Sequence, residues 1–141
     1  MIYAAYGSNL NHIQMKKRCP KARFLGAGKI EGYRLVFRGV ADIERDESDF
    51  VNVGLWDITK DCLVALDRYE GFPKLYDRKT FTVQTDNGAI NAMAYFMLAD
   101  GYAYPNQFYY EIIQMGYQDC GLPEDDLREA MWETVYALEK R

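Results

Sequence analysis

Two short stretches of this chain combine residue types that chemistry needs: Tyr6-Gly7-Ser8-Asn9-Leu10 and Glu70-Gly71. In the first, an apolar run from Ile2 to Tyr6 stops at Gly7. Two small polar residues follow, and a helical pattern begins at Asn11. That order reads as strand, tight turn and helix start. Gly7 has no Cβ, so a ligand can come close to the backbone there. The N–H groups that open a helix lack partners inside it and suit an anion or a carbonyl oxygen. Ser8 and Asn9 add side-chain donors. An ordinary capped connection accounts for the same residues.

Glu70 closes a helix that opens with Thr59 as its N-cap. Leu63, Leu66 and Tyr69 recur at helical spacing and read as its core face, while Gly71 and Pro73 end it. A carboxylate in the last turn faces the negative end of the helix dipole, at a cost of roughly 0.3–1 kcal/mol. The charged form is harder to hold there, which moves the pKa up. A general acid/base working near neutral pH needs such a shift. A solvated surface glutamate is the competing reading.

Composition removes other classes of function. With 141 residues the chain is long enough for one domain with a core. The net charge is −4 with no basic block, which argues against nucleic acid. No apolar run is long enough to span a membrane, and nothing at the start resembles a signal peptide. Cys19, Cys62 and Cys120 are odd in number and far apart, and His12 is the one histidine. A zinc site or a disulfide framework is not expected, and a reducing cytoplasm is. His12 reads as a solvated surface residue. Gly26, Gly28 and Gly32 miss the dinucleotide fingerprint and instead fit bulges or close strand crossings. The acidic run 44–49 lacks calcium-loop spacing and reads as a solvated loop. Aromatics reach 15%, with 12 tyrosines among them, enough to line a pocket or fill a core.

The elements that must position these residues follow from periodicity and caps. Strands are expected over 1–5, 23–30, 33–37, 40–43, 50–57, 78–84 and 89–98, with a hairpin at Asn87-Gly88. Asn11 caps a first helix, with Gln14 in capping-box position, and Pro20 ends it. Asn106 caps a helix to about Met115 with Phe108, Ile112 and Met115 on its inner face. Leu122-Pro123 opens the last helix, whose stripe is Leu127, Met131, Val135 and Leu138. The expected fold is α+β: one domain, residues 1–141, with a curved mixed β-sheet and surrounding helices.

Tyr6-Gly7-Ser8-Asn9-Leu10 and Leu66-Asp67-Arg68-Tyr69-Glu70-Gly71 together resemble the gamma-glutamylcyclotransferase-like family, which includes the AIG2-like and gamma-glutamylamine cyclotransferase branches. Cys19-Pro20-x-Ala22-x-Phe24 and Gly32-Tyr33-Arg34-Leu35 fall in the family's order. So do Pro105 with Tyr109, Ile112-Ile113, Met115-Gly116 and Gly121-Leu122-Pro123, so the resemblance runs from Ile2 to Pro123. It implies a barrel-like sheet and release of 5-oxoproline from a gamma-glutamyl substrate, without metal or organic cofactor. Glu70 takes the acid/base position. Tyr6, Gly7, Ser8, Asn9 and Leu10 take the substrate loop, and Tyr76, Tyr95 and Tyr109 the pocket. Asn106 stands where the family usually has serine. The resemblance leaves open a non-catalytic binding member, a cyclotransferase for gamma-glutamylamines or for a biosynthetic gamma-glutamyl intermediate, and the oligomeric state, a homodimer included.

Overall fold

The structure is a computed structural model that describes residues 1–139. Five strands close into a barrel in the order β1-β3-β2-β4-β5. They are β1 (Ile2–Ala5), β2 (Arg23–Phe37), β3 (Ala41–Asp57), β4 (Tyr76–Thr85) and β5 (Gly88–Met97). The neighbours are antiparallel except β1 and β5, whose parallel pairing at Tyr3 and Met93 closes the ring. Closure removes the free sheet edges that an open sheet would leave. Val51, Val53 and Leu55 point inward as their alternation predicts, and each is at most 3% exposed. The α+β, single-domain, barrel-like expectation is met.

Two strands are longer than expected. The pair 23–30 and 33–37 is one strand, bulged between Glu31 and Tyr33 so that it bends without ending. The acidic run is not a loop but the middle of β3. Its charge is matched across the ladder. Arg34, facing Glu44 in register, bonds that residue and Glu133, and Arg38 bonds Asp42 at 2.7 Å and Glu44 at 2.9 Å.

The helices are α1 (His12–Arg18), α2 (Lys60–Glu70), α3 (Gln107–Asp119) and α4 (Asp125–Glu139). A 3-10 turn, Ser8–Leu10, precedes α1. Asn11, Thr59 and Asn106 cap their helices through side-chain oxygens, and Gly71 closes α2 in the left-handed conformation. Gln14 does not complete a capping box, because its side chain accepts from Arg18 at 3.0 Å instead. The inner face of α3 is one step round from the expected one. Phe108 is 70% and Met115 48% exposed, while Ile113, Gly116 and Tyr117 are buried. The reason is contact with the 3-10 turn. A Cβ on Gly116 would lie 2.6 Å from Asn11 N and 2.7 Å from Leu10 C, so α3 crosses the chain there at backbone distance. The last helix starts at Asp125, later than Pro123, and buries Leu127, Ala130 and Thr134 rather than the whole expected stripe. Among the described residues, no helix is long and apolar enough to cross a membrane.

Cysteine pairing and His12 also differ from expectation. Cys19, the C-cap of α1, and Cys62, in the first turn of α2, form a disulfide with Cα atoms 5.0 Å apart. Their separation of 43 residues carried no sign of this, since only the packing of α1 on α2 brings them together. The expectation of a reducing compartment rested on unpaired thiols and loses that ground. Cys120 is free and buried, its thiol pushed up to about 12 by burial and then by Asp119. His12 is not simply solvated: its ring packs 4.6 Å from Phe24 and 5.0 Å from Trp56.

Gly116→Ala is expected to force Leu10 and Asn11 from α3 and to lower stability by about 1–3 kcal/mol, the usual range for overpacking. A urea titration followed by circular dichroism checks this, and an unchanged midpoint would contradict the close crossing.

Candidate active site

At one mouth of the barrel, the end of β1, the 3-10 turn, the start of β3 and the end of α2 surround a cleft of about 190 Å³. Tyr76 at the start of β4 and Tyr95 near the end of β5 complete its wall, with Tyr109 reaching in from α3. Eight of the nine residues expected at the site line it: Tyr6, Gly7, Ser8, Asn9, Glu70, Tyr76, Tyr95 and Tyr109. Leu10 does not. Its side chain is in the core, and its N–H donates to Gly7 O at 3.0 Å. The N–H groups of Ser8 and Asn9 come before that first bond and have no acceptor within the turn.

Glycine at position 7 is a matter of space. A Cβ there would lie 3.3 Å from Ala41 Cβ and 3.4 Å from Tyr109 Oη. The tyrosine hydroxyls are fixed by the walls. Tyr6 donates to Tyr95 O at 2.8 Å, and Tyr76 to Ala41 O at 2.6 Å. Tyr109 Oη accepts from Ala41 N at 2.9 Å, and Tyr95 donates to Asp67 Oδ1 at 2.7 Å. Burial raises the pKa of Tyr6, Tyr76, Tyr95 and Tyr109, so these are neutral phenols at any working pH.

Two carboxylates one turn apart on α2 have opposite surroundings. Asp67 is bonded to Arg78 through Nε at 2.9 Å and Nη2 at 3.2 Å. Glu70 lines the cleft, and among the described residues no donor or cation contacts its carboxylate. Burial pushes its pKa up to about 7, and the charge of Arg18 opposes the shift. The helix end explains why a charge is unwelcome there, and desolvation supplies the main push.

Two residues that line the cleft, Tyr3 and Tyr69, and one packed behind its wall, Arg18, were not singled out in the sequence as site residues. Tyr3 lines it from β1, its hydroxyl accepting from Asn9 Nδ2 at 3.0 Å. Tyr69 was read as core, but it is 44% exposed and shares a 2.9 Å hydrogen bond with Ser8 Oγ. Arg18 stacks on the Tyr69 ring at 3.5 Å. Period-2 spacing before the Gly7 turn was the available sign for Tyr3. Nothing local marked Arg18.

Comparison with known proteins shows the family of the chain and its fold. Residues 3–116 match the family described as gamma-glutamyl cyclotransferase, AIG2-like. The gamma-glutamylcyclotransferase of Homo sapiens is 31% identical over 136 residues, covering 86% of this chain and 72% of that protein. The Bos taurus protein of the same name is 30% identical over the same shares. A solved gamma-glutamyl cyclotransferase structure superposes with a TM-score of 0.84 at 28% identity, over 92% of this chain and 85% of the other. YkqA from Bacillus subtilis shares the fold at 18% identity, with a TM-score of 0.82 over 97% of this chain and 55% of its own. The chain belongs to the AIG2-like gamma-glutamyl cyclotransferase family.

The raised Glu70 pKa has a consequence for stability. The folded state holds the proton more tightly than the unfolded chain, so the contribution of Glu70 is full below the ordinary glutamate value and is lost as pH rises through about 7. Glu70→Gln lacks this loss. Relative to the parent, the variant is expected to gain on the order of 1–2 kcal/mol between pH 5 and pH 8.5, after a discount for solvent contact. Urea titrations at the two pH values measure the difference, and a gap that does not widen with pH would contradict the shift.

Proposed function

We propose that this chain cyclises the gamma-glutamyl group of a small molecule to 5-oxoproline and releases an amine or amino acid, with Glu70 as the general acid/base. The observation that carries the reading is the placement of the Glu70 carboxyl, pushed up to about 7 by burial, in the same cleft as the Gly7–Asn9 turn.

The reaction needs positioning and proton transfer. The α-amine of the substrate attacks its own γ-carbonyl carbon, and closure of a five-membered ring is intramolecular. A cleft that holds the folded conformer therefore supplies much of the rate. The α-ammonium first loses a proton to solvent and so becomes a nucleophile. As the N–C bond forms, the Glu70 carboxylate accepts the surplus proton of the ring nitrogen. As the bond to the leaving nitrogen breaks, Glu70 returns that proton to it. A group with a pKa near 7 does both, because each form is populated at neutral pH. The tetrahedral oxyanion between these steps faces the N–H groups of Ser8 and Asn9, free of any acceptor in their own turn. The tyrosine walls keep the site poor in competing charge.

The test is a panel of gamma-glutamyl amino acids and gamma-glutamylamines, with 5-oxoproline and the freed amine both measured. At least one substrate is expected to turn over. Its kcat/KM is expected to rise with pH through about 7 as Glu70 ionises, and Glu70→Gln is expected to fold and to lose activity by about 10²-fold or more. Turnover that survives in the glutamine variant would remove Glu70 from the role, and tight binding of a panel member with no release would leave a binding protein.

A further inference from the structure

Arg18 ends α1 behind the wall of the cleft, and among the described residues no carboxylate is in contact with it. Its Nη1 donates to Asn9 Oδ1 at 2.6 Å and its Nη2 to Gln14 Oε1 at 3.0 Å, and both acceptors are neutral amides. The face of the guanidinium lies 3.5 Å from the Tyr69 ring centroid. Among the described residues no carboxylate lies within 4.0 Å of it, unlike Arg34, Arg38 and Arg78. A guanidinium carries five N–H donors, and these contacts use two. Asn9 and Tyr69 both line the cleft, so the charge is fixed against its wall. That charge is felt by Tyr3, Glu70 and Tyr109, three groups that face the cleft.

The chemistry of the substrate says what such a charge is for. In any gamma-glutamyl compound the α-carboxylate sits on the carbon that bears the α-amine. If Glu70 handles the protons of that amine, the α-carboxylate is brought within a few bonds of Glu70, and two like charges then share a cleft walled by neutral phenols. A cation is needed nearby to make that arrangement tolerable. We propose that Arg18 supplies the positive charge opposite the α-carboxylate of the gamma-glutamyl group and so makes that carboxylate, rather than the leaving amine, the feature by which the site selects its substrates. This rests on the cyclotransferase reading above. Held by two amides and one ring, Arg18 stands behind the Asn9 and Tyr69 wall of the cleft with a preorganised charge and, among the described residues, has no ion pair within 4.0 Å to break.

The experiment compares gamma-glutamylalanine with its analogue carrying an α-carboxamide, reading alanine release from each. The carboxamide also alters the basicity of the α-amine, but that change is common to all enzyme variants and cancels in the ratio between them. The parent protein is expected to favour the carboxylate in kcat/KM by about 10–100-fold, the usual worth of a hydrogen bond to a charged group. In Arg18→Gln the preference is expected to fall to within about threefold, through a higher KM for the carboxylate substrate, with the carboxamide little changed. Arg18→Lys keeps the charge and is expected to restore part of the preference, which also guards against a glutamine variant that fails to fold. Equal losses on both substrates in the two variants, or a parent with no preference, would overturn the proposal and leave Arg18 as a prop for Asn9 and Tyr69. Release from neither substrate by the parent, with none across the wider panel, would instead overturn the cyclotransferase reading on which it stands.

Discussion

The candidate site depends on withholding partners from one carboxylate. Glu70 stands at the last residue of α2, lining a cleft walled largely by phenols, with neither a donor nor a cation in contact among the described residues. Three residues earlier, Asp67 on the same helix has Arg78 and the Tyr95 hydroxyl. A single turn of helix thus separates a satisfied carboxylate from an unsatisfied one. The satisfied one anchors α2 and Tyr95 to the barrel wall, and the other keeps a proton available near neutrality. An ionised, unpartnered carboxylate works against stability, and the closed barrel and its core offset that cost.

The rest of the fold brings distant pieces to that carboxylate. β1 delivers the chain to Gly7 from within the ring, between β3 and β5. The 3-10 turn is then trapped from outside by α3, at a distance that only glycine at 116 permits. Asn11 ties the two together by donating to Ile112 O at 3.1 Å while its oxygen caps α1. On the other side, the Cys19–Cys62 disulfide fastens the end of α1 to the start of α2. Arg18 and Tyr69, stacked on each other, belong to these two helices. The turn, Glu70 and Arg18 are therefore placed by long-range contacts, and each is held by a different part of the chain.

What the sequence made legible was local. Asn11, Thr59, Asn106 and Gly71 mark helix ends through chemistry that needs only near neighbours, and all four serve as read. The apolar alternation of Val51, Val53 and Leu55 places the second half of β3 correctly. The pairing of the Gly7 turn with Glu70 came from family resemblance, because their meeting across 63 positions has no local signature. The misreadings share one physical cause. Glu44 reads as loop because its partners, Arg34 and Arg38, are contributed mainly by another strand. The face of α3 reads wrongly because periodicity counts apolar bulk, whereas its crossing uses the absence of a side chain at Gly116. Cys19 and Cys62 read as free thiols because a disulfide needs only a tertiary meeting. Tyr69, apolar by helical spacing, faces the cleft because its hydroxyl has Ser8 to bond.

The chemistry proposed for this cleft requires a Glu70 carboxyl poised near neutral pH. The most direct measurement is its own titration, by carbon NMR of side-chain-labelled glutamate, with Glu70→Gln identifying the resonance. The expected midpoint lies close to the value of about 7 that burial imposes. A midpoint in the ordinary glutamate range, near about 4.3, would show a solvated surface carboxylate and contradict it.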